Sequence, residues 1–573
     1  MRNVFYAILI TTFALGIYSC GRLHAEENES GEVFEFREIY LPEYTEKVNS
    51  DLHLDYLDKS WGIWGHNLNK VLPEDPSSQV FAKKGSAVID EQFCFSNDKL
   101  FDYIAEFIDN NYIFTDSVRF AILPNDNDIV CLCADCVRLG NSEGDASPAV
   151  FHLINRLAKK YPEHKFFTSH YSTTRQLPAE KMPKNTGVLI STMEYPLSAA
   201  ATPKENEFME LIGKWKEKTD RIYVWDYVQN FDDYFTPFPV FAIMQRRLQK
   251  FRDAGVNGVF LNGSGPDFST FGRLKKAVLA RLLENPDRDW QTILRECAVE
   301  LYPSAGNDIA DFMIAQEKMV TGNGKKLPLY EGISTAISTY LPEQNFVEFY
   351  NKLVHHKREA TGQEKEDLEL LTDAMAYTML ELKRINNDVE NTEKLKERLG
   401  RLPAKGIESY NEGCWMISQY LDDYNFMERN LRESGERNRL KGTKLVARTP
   451  LDEDYTDISI LTDGLLGIPS NYHNGNLISS ADPALIIAIP STGGATTLRV
   501  WMVHNPAFRI GLPEDVSVTV GGVKRPPKVP EKPQGSTGHS FLDFDISGGG
   551  EVLLTLRKSP DVKTMAVDEI EAF

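Results

Sequence analysis

Cysteine is scarce in this chain, 7 in 573 residues, too few for a disulfide-built scaffold. Long apolar runs are scarce too. Beyond the N-terminal stretch Val4–Ile17, no segment approaches the roughly 20 apolar residues that a membrane span needs. Positive charge is in deficit, with 63 Lys and Arg against 83 Asp and Glu and a net charge of −20. Such a surface repels a phosphate backbone, so nucleic acid is not an expected partner. The chain contains no Gly-x-Ser-x-Gly elbow and no His-Glu-x-x-His helix, which removes serine-esterase and zincin chemistry. No glycine-rich phosphate loop follows the first apolar run, which argues against a dinucleotide fold. No cofactor is called for, and no metal is assigned to the catalytic site.

What is present is an ordinary globular composition, 42% hydrophobic and 25% charged, at a length that implies two to four domains of roughly 100–200 residues each. Arg2, the apolar run to Ile17 and the ending Ser19-Cys20 form the charged and apolar regions of an export signal. The small residue directly before Cys20 resembles a bacterial lipoprotein signal, with residues 1–20 removed up to a lipidated Cys20. The acidic stretch within 21–32 reads as a tether. The expected location is therefore a membrane surface reached through N-terminal lipid, on the outer-membrane cell surface.

From about 33 to 270, short apolar runs alternate with amphipathic segments. Eight runs are expected as strands: Val33–Tyr40, Trp61–Gly65, Ala87–Phe95, Val118–Leu123, Lys165–His170, Gly187–Met193, Arg221–Tyr227 and Val256–Asn262. Helices are expected at Asp98–Asn110, Ser147–Tyr161, Glu205–Lys218 and Phe238–Ala254. Eight strands in a segment of about 240 residues fit a (β/α)8 TIM-like barrel. The fold class is therefore multidomain α/β. Residues 271–440 carry apolar residues at helical spacing and form a helical domain, with its longest helix at Glu364–Ile385. Residues 441–573 turn to short alternating strands and read as a β-sandwich. Leu461-Thr462-Asp463-Gly464 and Val567-Asp568-Glu569-Ile570 make that sandwich resemble a discoidin-type, galactose-binding-like module. In such modules the matching acid often fixes a cation, although a plain turn serves Asp463 equally.

Function in such a barrel gathers at the C-terminal ends of the strands. The polar residues there are Arg37, His66, Asn125, Asp126, His170, Glu194, Asp226, Tyr227 and Asn262, beside Trp64, Tyr171, Tyr195 and Trp225. Convergent carboxylates among aromatics suit glycosidic cleavage, in which one group protonates the leaving oxygen and another stabilises the anomeric carbon. Glu194, beside Tyr195 and Pro196, is the expected acid. Asp226 is the expected stabiliser, with Asp126 close behind. Arg37, His66, Asn125 and Tyr227, with Trp225 and Asn262, are expected to bind substrate.

Several stretches carry a resemblance. They are Phe36-Arg37-Glu38, Trp61-Gly62-Ile63-Trp64-Gly65-His66-Asn67, Pro124-Asn125-Asp126, Cys131-Leu132-Cys133-Ala134-Asp135-Cys136 and Trp225-Asp226-Tyr227-Val228-Gln229-Asn230-Phe231. Pro237-Phe238-Pro239 and Gly255-Val256-Asn257-Gly258-Val259-Phe260 continue the pattern in the same order. Together they resemble domain of unknown function 4838, some of whose members are similar to glycoside hydrolase family 163. The resemblance implies an endo-β-N-acetylglucosaminidase that cuts the chitobiose core of complex N-glycans on a glycoprotein. It also implies a retaining mechanism in which the sugar's own acetamide is the nucleophile. A surface glycan-binding lipoprotein without catalysis is the competing reading.

Cys94, Cys131, Cys133 and Cys136 remain. Four thiolates suit zinc, but C-x-C-x-x-C is not a standard zinc knuckle, and exported proteins meet oxidising conditions. A disulfide between two of them is the plainer alternative, and both readings stay open.

Overall fold

The computed structural model describes residues 33–112, 117–434, 437–452, 455–472, 475–480, 482–528, 537–548 and 550–573. The export signal, Cys20 and the 21–32 tether lie outside the described residues. No helix among the described residues is long and apolar enough to cross a membrane.

Seven strands form one parallel sheet: β1 (Phe36–Tyr40), β2 (Trp61–Ile63), β3 (Arg119–Ala121), β4 (Lys165–His170), β5 (Thr186–Ser191), β6 (Ile222–Tyr227) and β7 (Gly258–Asn262). Their spatial order is β1-β7-β6-β5-β4-β3-β2. The sheet curls on itself, because each strand sends a side chain to one shared interior cluster. These are Phe36, Trp61, Ala121, Phe167, Leu189, Tyr223 and Phe260. Trp61 sits among them, its ring centroid 5.6 Å from Phe36 and 5.0 Å from Phe167. The opposite faces of the strands join the larger core that also takes in the helices. This is why the strands read as nearly continuous apolar runs rather than as alternating ones.

The curl is a partial barrel, not the complete (β/α)8 barrel expected. Among the described residues no ladder joins β1 to β2. The gap is spanned by Asp55, whose amide donates to the Arg37 carbonyl at 2.7 Å and whose carboxylate accepts from the Arg37 amide at 3.0 Å. The expected third strand, Ala87–Phe95, lies outside the sheet. It forms an antiparallel hairpin with Phe81–Lys84, turning at Gly85 with φ +63°, a conformation that favours glycine. Asp90 and Glu91 explain the placement, since a strand covered on both faces would strip both carboxylates of water. The connection from β4 to β5 also lacks a helix.

Glycine is needed where the interior rings approach a neighbouring backbone. A Cβ at Gly187 would lie 2.3 Å from the Phe167 ring, which Trp61 and Tyr223 hold in place. Gly187→Ala is therefore expected to cost about 1–3 kcal/mol of stability through overpacking, read as a lower midpoint in urea unfolding.

The region expected to be helical follows, with helices at Gly272–Glu284, Trp290–Leu301, Gly306–Asn323 and Glu343–Glu359. The expected long helix Glu364–Ile385 is instead two, Gly362–Ala374 and Ala376–Ile385, meeting at Met375. The C-terminal part is two antiparallel sheets of five and four strands facing a common core that includes Leu485, Val500, Val518, Phe544 and Leu554. Strand Asp515–Val520 alternates strictly, with Val516, Val518 and Val520 inward, the period of a sheet with one buried face. In this sandwich Asp568 accepts from the Gly467 amide at 2.7 Å, and its second oxygen stands 2.7 Å from His539 Nε2. Glu569 accepts from Asn438 and Gly464. Their other oxygens, Asp568 Oδ2 and Glu569 Oε2, are buried without a hydrogen-bond partner among the described residues, and the discoidin-type resemblance is not confirmed.

Candidate active site

A cavity of about 390 Å³ opens at the C-terminal ends of the parallel strands. Each strand end supplies its wall by the two-residue alternation of β structure. Trp225 and Tyr227 of β6 line it, together with Ser169 of β4, Ser191 of β5 and Asn262 of β7. His66 and Asp126 arrive from the loops after β2 and β3. Tyr330 and Glu412 close the cavity from the helical region.

Asp126 is held by its loop. Gln92 of the hairpin brackets the preceding residue, accepting from the Asn125 amide at 3.0 Å and donating to the Asn125 carbonyl at 3.1 Å. The Tyr171 hydroxyl faces Asp126, and burial, with the Asp126 charge adding to it, pushes that phenol up to about 12. His66 Nδ1 lies 2.6 Å from the Pro124 carbonyl. A carbonyl only accepts, so Nδ1 carries a proton. Ser191 Oγ and the Tyr227 hydroxyl are 3.1 Å apart.

Glu412 is the residue that sequence reading missed. It sits in a tight turn where Asn411 Oδ1 accepts the Trp415 amide at 2.9 Å. The turn is docked by Glu412's own amide on the Phe231 carbonyl at 2.9 Å, while the Phe231 amide donates to the Leu329 carbonyl at 2.7 Å. Phe231, in the loop after β6, thus bonds both the turn that carries Glu412 and the segment that carries Tyr330. The Tyr330 hydroxyl donates to Glu412 Oε2 at 3.0 Å. Desolvation raises the Glu412 carboxyl above its ordinary range, the Tyr330 hydrogen bond opposes this, and the negative charge of Asp126 adds to the rise. Asp232, in the loop after β6, is buried close by. Burial, then Asp233, Glu412 and Glu331, push it up to about 8. On the cavity wall itself stand two carboxyl groups near enough to feel each other, Asp126 and Glu412, with Glu412 biased toward its protonated form.

Of the expected site residues, the structure brings His66, Asp126, Trp225, Tyr227 and Asn262 to the cavity. Four others do not line it. Asp226, between Trp225 and Tyr227, projects from the opposite face of β6. It is fully buried, ion-paired with Arg247 at 2.5 Å, and accepts from Thr192 Oγ1 at 2.6 Å. Glu194 belongs to an adjacent cleft, with 56% of its side chain exposed and an ion pair to Arg175 at 2.5 Å. Asn125 donates to the Glu91 carbonyl at 2.9 Å and so ties the loop to the hairpin. Arg37 lies on the strand face opposite Phe36, beside Asp55.

The cavity continues on both sides. A groove of about 860 Å³ shares His66, Trp225 and Asn262 with it. Its aromatic lining includes Tyr40, Tyr44, Tyr56 and Trp64, with Trp64 stacked on Trp225 at 5.0 Å and 5°. Toward the sandwich, a cleft of about 760 Å³ shares Met193 and Tyr330 and extends to Arg384, Tyr455 and Asp463. Ring faces of this kind suit the apolar faces of sugars.

The family described as domain of unknown function DUF4838 matches residues 28–314, just over half of the chain. No curated protein matches. Among solved structures, a GH138 enzyme targeting pectin rhamnogalacturonan II aligns at 8% identity with a TM-score of 0.33. The alignment covers 94% of this chain and 84% of that one. Agreement that loose carries no argument about fold or activity.

Proposed function

This chain belongs to the DUF4838 family, and from the cavity at its strand ends we propose that it is a glycoside hydrolase. The observation that carries this reading is the pair Asp126 and Glu412 on one aromatic-flanked cavity, with Glu412 biased toward its acid form. Glycoside cleavage needs two carboxyl groups in unlike protonation states. The open grooves on either side favour an internal bond of a longer glycan over a terminal one.

The finer proposal is an endo-β-N-acetylglucosaminidase acting on the chitobiose core of complex N-glycans, as the sequence resemblance implies. In that reaction the 2-acetamido oxygen attacks the anomeric carbon as the glycosidic C–O bond breaks. Glu412 gives its proton to the leaving oxygen. Asp126 accepts from the acetamide N–H and stabilises the positive charge of the cyclic intermediate. Water then displaces the acetamide oxygen from the anomeric carbon, that C–O bond breaking as water loses its proton to the Glu412 carboxylate, so configuration is retained. Tyr171 orients Asp126, and Tyr330 orients Glu412. On the sequence reading, lipid at Cys20 holds the enzyme at a membrane surface.

Incubation with a glycoprotein bearing complex N-glycans is expected to release a glycan ending in one reducing N-acetylglucosamine, detected by mass spectrometry. The protein keeps the other. Binding without release would replace this proposal with the glycan-binding reading.

A further inference from the structure

Four cysteines separated in sequence converge beside the hairpin. Cys94 directly follows Ala87–Phe93, Cys131 and Cys133 lie in the loop leaving β3, and Cys136 is in the first turn of helix Ala134–Leu139. All four sulfurs lie within 4.8 Å of one another. Cys94 Sγ is 3.6 Å from Cys133 Sγ and 3.8 Å from Cys136 Sγ. Tetrahedral thiolates about 2.3 Å from a zinc ion stand about 3.8 Å apart.

The arrangement differs from what a disulfide would require. A bond would draw two sulfurs to about 2.0 Å and leave the other pair without a reason to converge. All four are free thiols, three of them buried. Two backbone amides also point at sulfur, Lys83 N to Cys131 Sγ at 3.3 Å and Cys136 N to Cys133 Sγ at 3.5 Å. Such donors stabilise thiolate charge. We propose that Cys94, Cys131, Cys133 and Cys136 hold one structural zinc ion.

With four protein ligands the site is closed, so its role is to tie chain segments together, not to activate water. It joins the hairpin to the loop that starts at Pro124. The same two segments are joined at Gln92 and at Leu132, whose amide donates to the Lys83 carbonyl at 2.8 Å. Asp126 lies between those ties. The ion therefore acts as a clip behind a wall of the cavity. The clip itself does not depend on the hydrolase reading.

The test uses the whole protein purified without chelator. Elemental analysis is expected to find one zinc per chain, and titration with a mercurial thiol reagent should release it as four thiols react. Cobalt(II) in its place should show the strong thiolate charge-transfer absorption of a tetrahedral four-sulfur site. Hydrogen exchange across residues 124–136 should rise when zinc leaves. Cys94→Ser and Cys136→Ser should each lose the metal. Should these variants fail to fold, the titration of the unaltered protein still decides. A metal-free protein with a disulfide among these cysteines, or with four free thiols, overturns the proposal, as does iron in place of zinc. Loss of hydrolysis with zinc retained would count against the catalytic reading alone.

Discussion

Glu412→Gln is expected to lower turnover on a complex N-glycoprotein by about a hundredfold or more, the loss typical of removing a general acid. Asp126→Asn should cost a similar factor by withdrawing charge stabilisation at the anomeric carbon. Glu194→Gln, at an exposed ion pair outside the cavity, should stay within a few-fold of the parent. Circular dichroism and unfolding midpoints would show that all three are folded. The pH profile supplies a second readout. Glu412 must be protonated to act, so kcat/KM should fall as pH rises through its raised pKa. Tyr330→Phe removes the hydrogen bond that favours the carboxylate, so the falling limb should move to higher pH. Removing the Asp126 charge should move it to lower pH. Full activity of both Glu412→Gln and Asp126→Asn would end this assignment.

Arg247→Ala should be the most destabilising change at the back of the site, by about 3–5 kcal/mol, because it leaves a buried carboxylate without its counter-charge. Arg247 donates to Asp226 and also to the Pro196 carbonyl at 2.8 Å. It thereby ties helix Phe241–Asp253 to β6 and to the loop after β5. Asp226→Asn should lower the urea midpoint, yet leave kcat per folded molecule near that of the parent. A catalytic Asp226 would show the reverse pattern, with stability intact and turnover lost. The two measurements together separate a structural anchor from a reacting group.

Much of the framework was legible in the amino-acid order. Apolar runs covered on both faces marked seven strands, and helical spacing marked most helices beyond residue 271. Alternation marked the sandwich. These are local patterns, set by the period of each element and by which faces it buries. His66, Asp126, Trp225, Tyr227 and Asn262 were legible for the same reason, since strand ends of a curled parallel sheet converge. Period-two alternation also bears on Asp226, because it lies between two residues that face the cavity. It must therefore face away from it.

Other features had no local signature. A hairpin strand with a few apolar residues reads much like a short sheet strand, so Ala87–Phe95 is misplaced until the desolvation of Asp90 and Glu91 is weighed. Whether the sheet closes depends on a β1–β2 ladder that no single strand encodes. Glu412 lies far along the chain from the barrel, in a turn of unremarkable composition, and is brought to the cavity by backbone bonds from that turn to Phe231 and Tyr234. The cysteines were visible as a set, but their mutual distances were not. The sequence alone determined the elements and the faces they bury, because those follow from neighbours a few residues apart. Only the tertiary structure decided which carboxyl groups share a cavity and which are desolvated, because burial and charge coupling depend on segments brought together by the fold.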